Sequence, residues 1–311
     1  MILQLSEECP IFQSASEPYL QRLLYAIAVQ RWHLIAMPSP DRLESILPGH
    51  LWRTYRDFLL QAYKQATTSA MTIAINPNCN ACDPEKLVRF FTMPVVVVVE
   101  DVHSDGAWIR LVASNLRPSL ARQAVGDSPC LEFHHAGGIG QMPAEIERVA
   151  RPYQTSRQAA HWPLRVVAVS DSDAKTPGTM SQQAAAVRAA AINAGADVHI
   201  LHKRTIENYV PDETLIDYAS VRRPSLPAAE YITSFGRIAR DHYPMKRGLT
   251  PEEISQVGEL YGKAPRIEVG MGDFIKDLLE NFYYLTKRQQ LKRRDHSGEL
   301  ETLLDILERN I

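Results

Sequence analysis

The run Val95-Val96-Val97-Val98-Val99 constrains this chain more than any other segment. Branching at Cβ restricts χ1 in a helix and suits extended backbone, so five such residues in a row read as a strand. The run has no polar alternation and therefore no solvent-facing side, which predicts burial on both faces in a parallel sheet. It is also far short of the roughly 20 apolar residues that cross a bilayer as a helix. Leu164–Val169 repeats the pattern, and Cys130–Phe133 and Asp197–Leu201 give shorter strand candidates. Helical readings lie between them at Gly106–Ala113, Pro143–Ala150 and the alanine-rich Ser181–Ala194, which Gly195 terminates. Strands alternating with helices imply βαβ units, so the expected fold is α/β, a mostly parallel sheet flanked by helices.

The flanks read differently. Residues 1–93 are expected to be mainly helical, with Leu20, Leu23, Leu24, Ile27 and Ala28 at helical spacing, then Trp52, Tyr55, Phe58, Leu59 and Tyr63. A last short helix is expected over Pro84–Phe91, and no strand is read before Pro94. Residues 212–311 are helical again. Thr250-Pro251-Glu252-Glu253 has the pattern of a capped helix start. Near the end, Ile275, Leu278, Leu279, Phe282, Tyr283 and Leu285 form one apolar face, and Leu300, Leu303, Leu304 and Ile306 another. The division is thus 1–93, a core over 94–211, and 212–311.

The formal charge of −2 over 311 residues excludes a generally basic binder but leaves room for a local basic surface. Four cysteines make no disulfide framework and suggest a reducing, cytoplasmic setting; the acidic N-terminal segment has no signal-peptide pattern and no segment reads as membrane-spanning. Cys79-Asn80-Ala81-Cys82 is a CxxC without a second pair, so Cys79 and Cys82, with Cys9 and Cys130 elsewhere, read as ordinary thiols before they read as zinc ligands. No GxxxxGK[ST] occurs, so the sequence carries no P-loop.

Carboxylates gather at the strand ends. The first strand runs into Glu100 and Asp101, with Asp105 close behind; the third into Asp171-Ser172-Asp173; the fourth leads to Glu207. The carboxyl ends of neighbouring parallel strands converge on one crevice. Asp171 and Asp173, two apart, point to one side if the chain is extended. Four or five carboxylates there would repel and raise each other's pKa, and a divalent cation removes that penalty. Hard oxygen donors favour Mg²⁺ or Mn²⁺ over zinc. Helix capping after the βα loops is the competing reading; it explains a single Asp readily and an Asp-x-Asp on a strand end less well. Gly137-Gly138-Ile139-Gly140, between the acidic strands, permits positive φ and close approach to a phosphate.

Together these positions resemble the TOPRIM domain, the metal-dependent module of topoisomerases, primases and OLD-family nucleases. The family places a Glu after its first strand, a Gly after its second and a DxD after its third; here these read VVVVVE at Glu100, HHAGG at Gly137 and Gly138, and SDSD at Asp171 and Asp173. The OLD-like branch, found in bacterial anti-phage nucleases, adds a basic residue and a Glu in an IENY-like string, here Lys203-Arg204-Thr205-Ile206-Glu207-Asn208-Tyr209. The resemblance spans 94–211. It departs at Asp101, where the family often has Gly, and at Asp105, which stands five positions after Glu100 rather than three or four.

The resemblance implies a Mg²⁺- or Mn²⁺-dependent nuclease acting on DNA or RNA. It makes Glu100, Asp105, Asp171, Asp173 and Glu207 metal ligands, with Glu100 also a general-base candidate. Lys203 becomes a catalytic cation, and Gly137, Gly138, Lys175 and Arg204 phosphate contacts. Without a P-loop the chain looks like an effector of anti-phage defence that works beside a separate ATPase or sensor protein, and a homodimer would present two sites to two strands. Basic candidates for nucleic-acid contact are Arg222-Arg223, Lys246-Arg247 and the group Lys287, Arg288, Lys292, Arg293 and Arg294, although a solvated helix end explains the last equally. His134 and His135 read first as packing or hydrogen-bonding residues. Two other DxD chemistries fit less: haloacid-dehalogenase-type phosphatases need Thr or Val where Lys175 stands, and nucleotide-sugar transferases leave Glu100, the glycines and Glu207 unexplained. A non-catalytic interaction module of such a complex is the alternative of a different class.

Overall fold

The valine run is a strand buried throughout, β4 (Val95–Val99). The structure, a computed structural model, describes residues 2–5, 10–12, 16–30, 34–36, 40–66, 72–75, 84–85, 88, 93–125, 129–157, 164–262, 265–281 and 285–311. Ahead of β4 lie β1 (Ile2–Leu5), β2 (Leu34–Ala36) and β3 (Thr72–Ile75), which form a separate parallel sheet in the order β2-β1-β3. With them are the helices α1 (Glu17–Gln30), α2 (Pro40–Ile46) and α3 (Gly49–Ala66). Helical periodicity does not reveal this sheet: three- and four-residue strands are too short to show a pattern of their own. Most of Pro84–Phe91 falls outside the described residues, as do Cys9, Cys79, Cys82, Phe282 and Tyr283.

The main sheet joins β4 to β5 (Leu131–His135), β6 (Val166–Ser170) and β7 (Asp197–Ile200) in the order β5-β4-β6-β7, all parallel. The fold is therefore α/β with an all-parallel sheet flanked by helices. Alternate residues of the two central strands feed two cores. Val95, Val97, Val99, Val167 and Val169 pack on one side with Trp108, Val112 and Leu116 of α4 (Ala107–Leu116). Val96, Val98, Val166 and Ala168 pack on the other with Ile146 and Ala150 of α6 (Met142–Arg157) and Val187 and Ala191 of α7 (Gln182–Ala194). The short α5 (Pro118–Val125) links α4 to β5. Ser181 caps α7 by accepting from the Ala184 amide at 3.0 Å, and Gly195 closes it at φ 74°.

The C-terminal helices complete the first core. They are α8 (Asp212–Val221), α9 (Leu226–Thr233), α10 (Arg237–His242), α11 (Pro251–Val257), α12 (Asp273–Asn281), α13 (Arg288–Arg294) and α14 (Glu299–Asn310). Leu300, Leu303, Leu304 and Leu307 of α14 share a cluster with Val95 and Val167. Buried Arg165 fastens this end to the sheet, donating to the carbonyls of Met93 at 2.6 Å and Asn310 at 3.3 Å. Among the described residues no helix is long and apolar enough to cross a membrane.

Candidate functional site

The crossover after β4 lies on one face of the sheet and the crossover after β6 on the other. Between the carboxyl ends of β4 and β6 the chain therefore diverges, and in open α/β sheets that divergence opens a crevice. Glu100 follows β4 directly and Asp171 follows β6 directly. After Asp101 the chain makes a π-helical turn over Val102–Gly106 that holds Asp105, whose Oδ2 accepts from the Asp101 amide at 3.0 Å. After β7, Ile206–Tyr209 forms a single 3-10 turn that carries Glu207.

Hydrogen bonds from backbone and side chain stitch the two loops together. The Asp173 amide donates to Arg204 O at 2.9 Å, Ser172 Oγ to Lys203 O at 2.7 Å, and the Ile206 amide to Asp171 Oδ1 at 3.0 Å. Asp173 sits at φ 49°, a left-handed value that only a few per cent of non-glycine residues adopt. The extended-chain argument for Asp-x-Asp thus fails at its second member. The loop turns there, and it is the tie to Arg204 that sets Asp173 in place. Asn208 anchors the turn: its Nδ2 donates to the carbonyls of Arg240 and Tyr243, both at 2.9 Å, and its Oδ1 accepts from the Thr205 amide at 3.0 Å.

The five carboxylates feel one another. Burial, then Asp105 and Asp173, push Glu100 from 4.5 up to about 7. Burial raises Asp105 to about 6, with Glu207 adding to the rise. Asp171 is driven well above the usual carboxylate range by burial and then by Glu207, Asp105, Glu100 and Asp173. Asp173 is raised by burial, with Arg204 opposing. A hard divalent cation suits this donor set, which is all oxygen, crowded and short of positive charge. As placed, however, no three His, Cys, Asp or Glu side chains among the described residues form a metal-holding group.

One cation that the sequence reading assigned to the nucleic-acid surface stands in the crevice instead. Lys246 Nζ lies 3.1 Å from Glu207 Oε1, and Glu207, followed by Asp171 and Glu100, raises its pKa against its desolvation. Its loop is held by close backbone packing: a Cβ on Gly270 would fall 2.2 Å from Lys246 O, and one on Gly248, at φ 75°, 2.4 Å from the Val269 amide nitrogen. No local pattern announces this, because Lys246 reaches Glu207 only through the packing of 244–249 against 267–272.

Other expected residues lie elsewhere. Lys203 is buried away from the carboxylates, with Nζ donating to Arg294 O at 2.7 Å and lying 3.0 Å from Asp241 Oδ1 and 4.7 Å from the Tyr209 ring centroid. Arg204 is buried on Glu253 at 2.7 Å, although its charge still reaches Asp173. Arg247 pairs with the same Glu253 at 2.8 Å. Lys175 donates to Gln256 at 2.7 Å. Gly137 and Gly138 take φ 82° and 118°; the Gly137 amide donates to Glu100 O at 3.2 Å, which sets this turn beside the crevice, and a Cβ on Gly138 would meet nothing within 4 Å. His134 bonds Glu132 and Glu145, and His135 lies 3.9 Å from Asp101. Of the basic clusters, Arg293 pairs with Glu213, Lys292 faces Glu301 at 3.8 Å, and Arg294 is buried rather than displayed. Cys130 is a core residue, its thiol pushed up to about 12 by burial.

Compared with family models, with curated proteins and with solved structures, the chain gives no match.

Proposed function

We propose that this chain is a divalent-metal-dependent nuclease that cleaves phosphodiester bonds in DNA or RNA. The observation that carries the reading is the crowding of Glu100, Asp105, Asp171, Asp173 and Glu207 at the divergence of β4 and β6, which adds to burial in raising Glu100 to about 7 and Asp171 well above the usual carboxylate range. Asp171, Asp173 and Glu207 would hold Mg²⁺ or Mn²⁺, with Asp105 and Glu100 beside them. The ion would acidify a bound water and neutralise charge on the phosphoryl group. Glu100, held ionised by the neighbouring ion, would take the proton from an attacking water at its carboxylate. Lys246 supplies the cation that Lys203, turned into the core, does not. Gly137 and Gly138 leave room for backbone to approach a phosphate.

Incubation with plasmid, tRNA and total RNA in Mg²⁺, Mn²⁺ or EDTA tests the reading. Cleavage is expected with metal and not with EDTA, and to be lost in Asp171→Asn. Cleavage that persists in EDTA, or in the folded variant, overturns it. The TOPRIM resemblance adds a role as an effector beside a separate ATPase or sensor protein in anti-phage defence, which co-purification with a neighbour-encoded ATPase examines.

A further inference from the structure

A cavity of about 310 Å³ opens where α8 begins, directly after the turn that carries Glu207, and none of the crevice carboxylates lines it. It is lined by Arg237, Arg240, Arg293, Arg294 and His296 together with Asp212 and Glu213. Arg240 and Arg294 are among the buried residues, where an arginine is rarely found without full pairing.

Arg240 is satisfied: Nε donates to Asp212 Oδ1 at 3.0 Å and Nη2 to Val210 O at 3.1 Å. Arg293 is taken by Glu213 at 2.7 Å. Arg294 is not satisfied. Its Nη2 lies 2.6 Å from Asp241 Oδ1, yet neither Nε nor Nη2 has an aligned hydrogen-bond partner. Asp241 is moreover shared with the buried Lys203 at 3.0 Å. The residues lining the cavity thus carry four cations (Arg237, Arg240, Arg293 and Arg294) against two carboxylates (Asp212 and Glu213), and Asp241, the ion-pair partner of Arg294, is divided with Lys203. The electrostatics agree: burial and then Arg294 hold Lys203 down to about 8 and Arg240 to about 10.

An excess of two positive charges calls for a doubly negative partner, and guanidinium forks match the oxygens of a phosphate. The volume is at the lower end of small-ligand pockets, roughly 300–1,000 Å³, which admits a phosphate with a modest attached group. Phe235 supplies an apolar wall for that group. We propose that this cavity is a binding site for a small phosphate monoester, with its dianion between Arg294 and Arg237 and its organic part against Phe235.

The test is thermal denaturation and calorimetric titration in EDTA, which keeps the crevice out of the measurement, with inorganic phosphate, AMP and acetate at constant ionic strength. Phosphate and AMP are expected to raise Tm and acetate to leave it unchanged. Arg237→Gln changes an exposed side chain, so it should leave the ligand-free Tm unaltered while weakening phosphate binding roughly tenfold. Either phosphate compound binding alone supports the site, and tighter binding of AMP also supports the role of Phe235. The proposal is overturned if neither raises Tm, if acetate does so equally, or if Arg237→Gln binds as wild type does.

Discussion

The carboxylate crevice and the arginine cavity lie at either end of one short turn, and each keeps charge of a single sign in excess. In the crevice five carboxylates share Lys246. In the cavity Arg294 and Lys203 share Asp241. Glu253 differs from both in that its carboxylate is hydrogen-bonded throughout: it accepts from Arg204 at 2.7 Å, from both terminal nitrogens of Arg247 at 2.8 and 2.9 Å, and from the Thr250 amide at 3.1 Å. The difference separates two uses of buried charge. Matched ions hold loops in register. Unmatched ions cost folding free energy and persist where a ligand of opposite sign completes them.

The largest expected effect sharpens the crevice side of that contrast. Asp171→Asn keeps an acceptor for the Ile206 amide while removing one ligand charge, so metal-dependent cleavage should fall by about 10³-fold or more with the fold intact, read by single-turnover assay beside circular dichroism. A folded variant with full activity would show that the crowding serves no metal.

Glu253→Ala should cost about 3 kcal/mol or more in urea denaturation, because it strands buried Arg204. Burial alone would raise Glu253, but Arg247 and Arg204 hold it near 2, below its ordinary 4.5. Its contribution is therefore present above pH 4.5 and lost as pH falls toward 2. A loss below about 1 kcal/mol would place this node on the surface energetically.

The crevice should show the opposite slope. Glu100 keeps its proton in the folded state from 4.5 up to about 7, where the unfolded chain has released it. Its contribution is complete below pH 4.5 and lost as pH rises through 7, on the order of 2 kcal/mol in EDTA. Glu100→Gln should make this part of the pH profile shallower, Asp105 and Asp171 keeping the rest of the slope, and Mg²⁺ should restore wild-type stability at pH 8. A flat wild-type profile would break the contrast with Glu253.

Lys246→Gln has the smallest expected effect. Its side chain is 59% exposed, so the loss in EDTA should stay below ~1 kcal/mol. That loss should vanish in Mg²⁺, while cleavage falls. Equal stability of the two proteins at every pH, with and without Mg²⁺, would remove Lys246 from the crevice's charge balance.

Much of the scaffold is legible residue by residue. Val95–Val99 declared a doubly buried strand, Ser181 and Gly195 the ends of α7, and Thr250 with Glu253 the capping box of α11. These are local effects of side-chain branching, capping and periodicity, so no distant contact is needed to read them. The strands β1, β2 and β3 were not legible, being three or four residues each.

For the site, the sequence by itself determined which residue types stand at the ends of β4 and β6 and on the turn after β7, since strand order and a parallel sheet bring those ends together. Only the tertiary structure decided which neighbours face the crevice. Lys203 and Arg204 stand four and three residues from Glu207, yet one turns to Asp241 and the other to Glu253. Lys246, 39 positions beyond Glu207, arrives at 3.1 Å from it. Spacing fixes where a side chain starts. Its charge settles where the folded chain places the nearest opposite charge, and that placement is a long-range property of packing.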